Sequence, residues 1–261
     1  MGVSMTILGS GSAGNSIYIE AGESRVLVDA GLSARQLRER LALIGRSPET
    51  LSAILISHEH NDHIRGLKGI ADKLGIPVYC NGATRDAIRE ILDTSLNLHV
   101  FHNGATFSIG DIDVHPFSVP HDAQDPVGFL IQTQNLTVAI ITDLGHVTTL
   151  VTERIRTANV IVLETNHDRQ MLIDCPTRPW KLKQRIMSSF GHLSNEEAAE
   201  ALKRVLWDGL HHVYLAHISR ECNTPMLAYC AIKAALSEAG AQHVRALLTY
   251  QDAPADPLII P

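Results

Sequence analysis

Ser57-His58-Glu59-His60-Asn61-Asp62-His63-Ile64-Arg65-Gly66 places three histidines and an aspartate, His58, His60, Asp62 and His63, within six consecutive positions. In an extended segment side chains alternate, so positions 58, 60 and 62 share one side and Glu59 and Asn61 point away. His63 joins them only if the chain turns there, as in a tight loop leading into a helix. Such a cluster is too dense for one structural metal, whereas two cations side by side use all four side chains. Chance yields H-x-H-x-D-H on the order of twice in a thousand chains of this composition. The alternative is a solvated, histidine-rich loop tip. Against it stands the apolar run at residues 53–56, which delivers the cluster as if from a buried strand.

On the N-terminal side, residues 5–8 and 16–20 read as strands around G-S-G-S-A-G-N (residues 9–15). The glycines permit positive φ and leave backbone N–H groups available to an anion. The loop lacks the G-K-[ST] ending of a nucleotide P-loop, and a plain tight turn fits it equally well. Asn15, at its end, is a candidate substrate contact. Residues 25–29 form another strand; Asp29 either holds a ligand histidine from behind or begins a loop. Ser33 is the expected N-cap of a helix over 33–44, and residues 51–56 are the strand before the cluster.

On the C-terminal side the expected elements are a helix at 64–74, a strand at 77–80 and a helix at 83–92. From 98 to 138 the pattern turns to short strands, at 98–101, 106–109, 112–119, 128–133 and 136–141. Helices follow at 147–158, 179–188, 195–207 and 225–239, with strands at 160–164, 212–217 and 244–248. Two sheets packed face to face with helices outside account for this order, an α/β, four-layer αββα sandwich in one domain over 1–261.

Three later residues end strand-like runs: His121 in P-H-D-A, Asp143 in V-A-I-I-T-D and His217 in L-A-H-I-S. Each alone reads as a capping or satisfied polar group. Added to the first cluster they make five histidines and two aspartates. That set suffices for two divalent metal ions, zinc or manganese, with a bridging carboxylate and a position for water. Two such cations lower the pKa of a shared water towards neutrality, and His192 in G-H-L-S is a candidate general acid. Its alternative is the cap region of the helix from Asn195. His167 is a second candidate, or a loop histidine bonded to Asp168. Arg169, Arg178, Lys181, Lys183 and Arg185, with Trp180 among them, are either a nucleic-acid grip or a solvated helix face. Asn166 lies beside them.

The chain of 261 residues carries a formal net charge of −6, so a polyanion must be held by a local patch and by the metals. Cys80, Cys175, Cys222 and Cys230 form no C-x-x-C pair, which points to reduced thiols in a cytoplasmic protein. Residues 1–14 carry no secretory pattern, and no run reaches membrane-span length, so no membrane partner is expected.

Taken together, these motifs resemble the metallo-β-lactamase-fold hydrolases. Within them, G-S-G-S-A-G-N-S, L-E-T-N-H-D (163–168), G-H-L-S-N (191–195) and A-H-I-S (216–219) are similar to the YycJ/WalJ group. The resemblance implies His58, His60 and His121 on one metal, Asp62, His63 and His217 on the other, and Asp143 between. It implies hydrolysis of phosphodiester bonds, with Asp62 among the catalytic residues, by a 5′-to-3′ exonuclease on DNA. Related phosphodiesterases share the ligand order, so hydrolysis of a small diester of the cyclic ribose phosphate type, or of a thioester, is an alternative; a non-enzymatic, metal-stabilised regulator is a third. Histidine at position 60, where the flavo-diiron branch has glutamate, disfavours oxygen or nitric-oxide chemistry. The missing insertion of RNA-processing relatives disfavours an RNase J-like role.

Overall fold

Period-two burial decides the layers. In the strand Ser24–Val28, Val26 and Val28 face one apolar cluster and Leu27 faces another; in Val160–Glu164, Val160 and Val162 part from Ile161 and Leu163 in the same way. Both strands are therefore covered on both faces. The computed structural model describes residues 2–93 and 95–260.

The first half runs β1 (Val3–Gly9), β2 (Ser16–Ala21), β3 (Ser24–Val28), α1 (Ala34–Leu43), β4 (Ala53–Leu55), α2 (Asn61–Ile64), β5 (Val78–Asn81), α3 (Gly82–Ile91) and β6 (Leu98–Phe101). The second runs β7 (Phe107–Ile109), β8 (Ile112–Ser118), β9 (Val127–Gln132), β10 (Thr137–Ile141), α4 (Thr149–Ile155), β11 (Val160–Glu164), α5 (Arg169–Asp174) and α6 (Trp180–Ile186). It continues with α7 (Asn195–Arg204), β12 (His212–Ala216), α8 (Pro225–Glu238), β13 (Arg245–Leu248) and β14 (Leu258–Ile260). Two seven-stranded sheets result, ordered β14-β1-β2-β3-β4-β5-β6 and β13-β12-β11-β10-β9-β8-β7.

Met5, Ile19, Val26 and Val28 of the first sheet meet Val114, Phe129, Ile140 and Val162 of the second in the inter-sheet core. Helices close the outer faces: α1 through Leu37 and Leu41, α7 and α8 through Leu202, Ile232 and Leu236. This is the expected four-layer α/β sandwich. Among the described residues no helix is long and apolar enough to cross a membrane.

Ser33 caps α1 with the reciprocal Gln36 bonds of a capping box. The helix expected at 64–74 is broken. The chain makes one α-turn at α2 and a π-turn at Lys68–Asp72, because Gly66 is drawn against residues 30–32, where a Cβ would lie 2.5 Å from the Leu32 carbonyl. β3 to β6 are parallel, as are β10 to β13. Both sheets thus offer strand carboxyl ends along one rim, the place where ligands bind in parallel sheets.

Candidate metal centre

The order of strand ends brings the donors together. Asp29 follows β3, residues 57–63 follow β4, Asp143 follows β10 and His217 follows β12, while His121 sits in the β8–β9 loop. His58 and His60 project from extended chain, and His60 is the N-cap of α2. Asp62 and His63 both ride the first turn of that helix, so strict alternation places two of the four side chains and the turn places the others.

All seven expected donors converge. His58, His60 and His121 form one group, and His58, His63 and Asp143 another, with donor atoms within 4.8 Å of one another. His63 Nε2 is 3.1 Å from Asp143 Oδ2 and 3.5 Å from Asp62 Oδ2. His217 Nε2 is 3.6 Å from Asp62 Oδ2, and His121 Nε2 is 3.8 Å from Asp143 Oδ1.

The outer ring nitrogens are engaged from behind. His63 Nδ1 is 2.8 Å from Asp29 Oδ2, His217 Nδ1 2.8 Å from Glu164 Oε1, His121 Nδ1 3.0 Å from the Gly191 carbonyl and His58 Nδ1 3.0 Å from Ser57 Oγ. Asp29 therefore takes the supporting role and not that of a mere loop start. The inner nitrogens of His58, His121 and His217 are buried without a hydrogen-bond partner. An unpaired buried polar group costs about 1–3 kcal/mol. Three of them around one space fit divalent cations, which this imidazole and carboxylate set suits.

Electrostatics agree. Burial opposes a charge on His63 and His217, but Asp29 and Asp143 around the first, and Asp143, Asp62 and Glu164 around the second, hold both well above the usual imidazole range. Burial also opposes the Asp143 carboxylate, yet His217 and His63 hold it well below the usual range. A cation held here would displace those imidazole protons, so its uptake would tighten as pH rises. Backbone strain collects here as well. Asp29, Asp143 and His217, with φ of 62°, 58° and 55°, are the non-glycine residues at positive φ among those described.

A cleft of about 190 Å³ opens over the donors, lined by His192, Asn166, Arg178 and Arg185 among others. His192 Nδ1 is 2.8 Å from Glu164 Oε1. Glu164, which the sequence reading did not single out, is fully buried at the end of β11; Oε1 serves His192 and His217, and Oε2 accepts from the Leu144 and Leu193 N–H groups. Its signal was an acid closing the apolar run V-I-V-L, the same pattern that marked Asp143. Asn166 turns its amide to the His217 carbonyl, 2.9 Å away, so it supports a donor besides lining the cleft.

Other expected contacts lie off the cleft. His167 is 1% exposed, is outside the cleft lining, pairs its backbone with Ser194 and leaves Nδ1 buried without a hydrogen-bond partner, so that nitrogen does not bond Asp168. Lys183 is buried and donates to the Ile173 carbonyl, which anchors α6 to α5. Arg169 pairs with Glu197, and Lys181 is exposed outside the cleft lining. Asn15 is buried with its amide 3.2 Å from Asp62 Oδ2 and 3.1 Å from His63 Nε2. The glycine loop is no open anion nest: Gly11 N–H bonds Asn15, Ala13 N–H bonds Gln251 and Gly14 N–H bonds Gly11.

Gly31 shows how tightly the α2 turn is held. A Cβ there would lie 1.5 Å from the Asp62 carbonyl oxygen and 2.7 Å from Asn15 N. Gly31→Ala is expected to push the Asp62 and His63 turn away, at a cost of about 1–3 kcal/mol. Bound metal per chain, measured after dialysis, should fall along with the melting temperature; an unchanged metal content would refute this.

Residues 24–218 match the family described as Beta-lactamase superfamily domain. The chain belongs to this metallo-β-lactamase superfamily. Within the superfamily it is 40% identical over 244 residues to "Exodeoxyribonuclease WalJ" of Streptococcus pneumoniae, covering 92% of this chain and 90% of that protein. It is 38% identical over 242 residues to "Exodeoxyribonuclease YycJ" of Bacillus anthracis, covering 92% and 91%. Among superfamily structures, YhfI of Bacillus subtilis superposes with a TM-score of 0.74 at 17% identity, over 97% of this chain and 99% of that one.

Proposed function

We propose that this chain is a metal-dependent exonuclease that hydrolyses phosphodiester bonds of DNA from the 5′ end, acting as a single domain over residues 1–261 in the cytoplasm. The observation that carries the reading is the ring of buried imidazole nitrogens left open towards one space, in a chain 40% identical to an exodeoxyribonuclease. His58, His60 and His121 would hold one cation and Asp62, His63 and His217 a second, with Asp143 reaching both; zinc and manganese suit the donor set. When bound, the cations acidify water and neutralise charge on the phosphate.

The protein's own groups do the rest. Asp62, the donor carboxylate most open to the cleft, orients the attacking water by accepting its hydrogen bond. His192 has Nδ1 committed to Glu164, which leaves Nε2 as its free nitrogen. Burial opposes its charge, but Glu164 outweighs it and raises His192 above the usual range. It therefore holds a proton near neutrality and can give it to the leaving oxygen.

DNA and RNA strands labelled at either end, incubated with zinc or manganese, test the reading. Progressive shortening of DNA from the 5′ end is expected, and a chelator should stop it. Intact strands under saturating metal, with turnover of a thioester or of bis-p-nitrophenyl phosphate, would replace it with one of the small-substrate alternatives.

A further inference from the structure

The glycine loop between β1 and β2, residues 10–15, binds no anion, yet both of its ends touch donors of the second cation. At one end, the His217 N–H donates to Ser10 Oγ at 2.8 Å. At the other, the Asn15 N–H donates to the Asp62 carbonyl at 2.8 Å, and the Asn15 carbonyl accepts from the Gly31 N–H at 2.9 Å. The Asn15 side chain is fixed in direction. Its Oδ1 accepts from the Gly11 N–H at 2.8 Å, so Nδ2 is left to face Asp62 Oδ2 at 3.2 Å and His63 Nε2 at 3.1 Å. Behind His58 and His121 stand Ser57 and the Gly191 carbonyl, outside this loop.

The loop is itself clasped from the far end of the chain. Gln251, just past β13, accepts from the Ala13 N–H at 2.7 Å through Oε1 and donates to the Gly14 carbonyl at 2.8 Å through Nε2. Arg40, buried on α1, donates to the Leu8 carbonyl at 2.6 Å and to the Gln251 carbonyl at 2.9 Å, which fixes Gln251 against the end of β1. The Ser10 N–H donates to the Tyr250 carbonyl at 3.2 Å. Two glycines make the clasp possible. Gly11 and Gly14 have φ of 138° and 145°, and a Cβ would lie 2.6 Å from Gln251 Oε1 at the first and 2.6 Å from the Gly31 carbonyl oxygen at the second. A plain turn has no use for such fastening. His217 does: at φ 55° a side chain persists only where its surroundings hold it there.

We propose that residues 10–15, clasped by Gln251, position the second cation site: Ser10 fixes the His217 turn, Asn15 aims the Asp62 carboxylate, and the C-terminal segment thereby sets the affinity of that site while the site of His58, His60 and His121 is left alone. Ser10, Asn15 and Gln251 are positioning residues, acting through His217 and Asp62. The inference rests on the two-cation reading and adds what holds one of the two sites in shape.

The test is zinc titration of the full chain, stripped of metal by a chelator and competed against a fluorescent zinc indicator, so that the two binding constants are read separately. Wild type should take up two ions. Gln251→Ala, Ser10→Ala and Asn15→Ala should each weaken one ion by about tenfold or more and leave the other near wild type, the unaffected ion reporting that the variant is folded. In His121→Ala, which strips the first site, one ion should remain, and adding Gln251→Ala should weaken that ion about tenfold. Asp252→Asn, exposed and one position past the clasp, should change neither constant. Unchanged constants in Gln251→Ala and Ser10→Ala overturn the positioning role, as does an equal loss of both ions, which marks a general loss of stability. A wild type that takes up a single ion overturns the two-cation reading, and the division of donors falls with it. Two ions bound as expected, with DNA left intact, overturn the nuclease reading alone and leave the role of the loop standing.

Discussion

Asp143→Asn is expected to give a folded protein with no measurable hydrolysis of DNA, a loss of about a thousandfold or more, the scale set by removing a principal electrostatic group from an active site. The Asp143 carboxylate stands within 3.1–3.8 Å of His63, His121 and His217 and is 2% exposed. Asparagine is the informative choice because it tolerates left-handed backbone. Alanine at φ 58° adds strain of roughly 1–2 kcal/mol and confuses a fold effect with a chemical one. Asp143→Gly completes the set, since glycine relaxes the backbone and still removes the charge. Both variants should remain folded, with some loss of stability from removing a buried charge that faces His63 and His217, and both should retain less metal after dialysis. Rates on end-labelled DNA at saturating zinc or manganese decide the matter. Near-normal turnover by Asp143→Asn would mean that the bridging role assigned to this residue is wrong.

The second large effect belongs to Glu164. Replacing it with leucine strands two backbone N–H groups, Leu144 and Leu193, and removes the partner of His192 and His217. Losing one member of a buried charged network costs about 3–5 kcal/mol, which corresponds to a melting-temperature drop of roughly 10 °C in a chain of this size. Activity should fall as well, because His217 loses its orientation and His192 its raised proton affinity. Glu164→Gln keeps the shape and should cost less. The pH dependence has a definite sign. Burial opposes the Glu164 charge, but His192 and His217 lower its pKa from 4.5 to about 2. A carboxyl depressed in the fold stabilises it above the unfolded value, and that contribution is lost as pH falls from about 4.5 towards 2. The stability gap between wild type and Glu164→Gln should therefore narrow across that window. A gap constant from pH 7 to pH 3 would show that ionised Glu164 contributes nothing.

The donors were legible because their signals are local. A histidine or aspartate that closes an apolar run is visible in the letters, and the parallel sheets then align such ends on one rim. The strands β3 and β11 and the serine cap of α1 were legible for the same reason. What escaped depends on neighbours far away in the chain. Nothing local tells that Gly66 must slip against residues 30–32, or that Lys183 turns inward to a carbonyl on α5 while Arg185, two positions on, reaches the cleft. The six residues of α5 and the three of β14 are too few to show a period. The contacts of Asn15 with Asp62 and His63 were not visible because those partners lie some 47 positions later.

Positions 29, 143 and 217 carry a further consequence. Each holds a side chain in backbone that glycine would adopt more comfortably, so backbone stability on its own would favour glycine at all three. In a descendant that had abandoned this chemistry the drift would bring relief and no penalty. The residues standing there now are thus a record of selection written in discomfort, and their replacement by glycine in a cousin would mark the point at which its trade was given up.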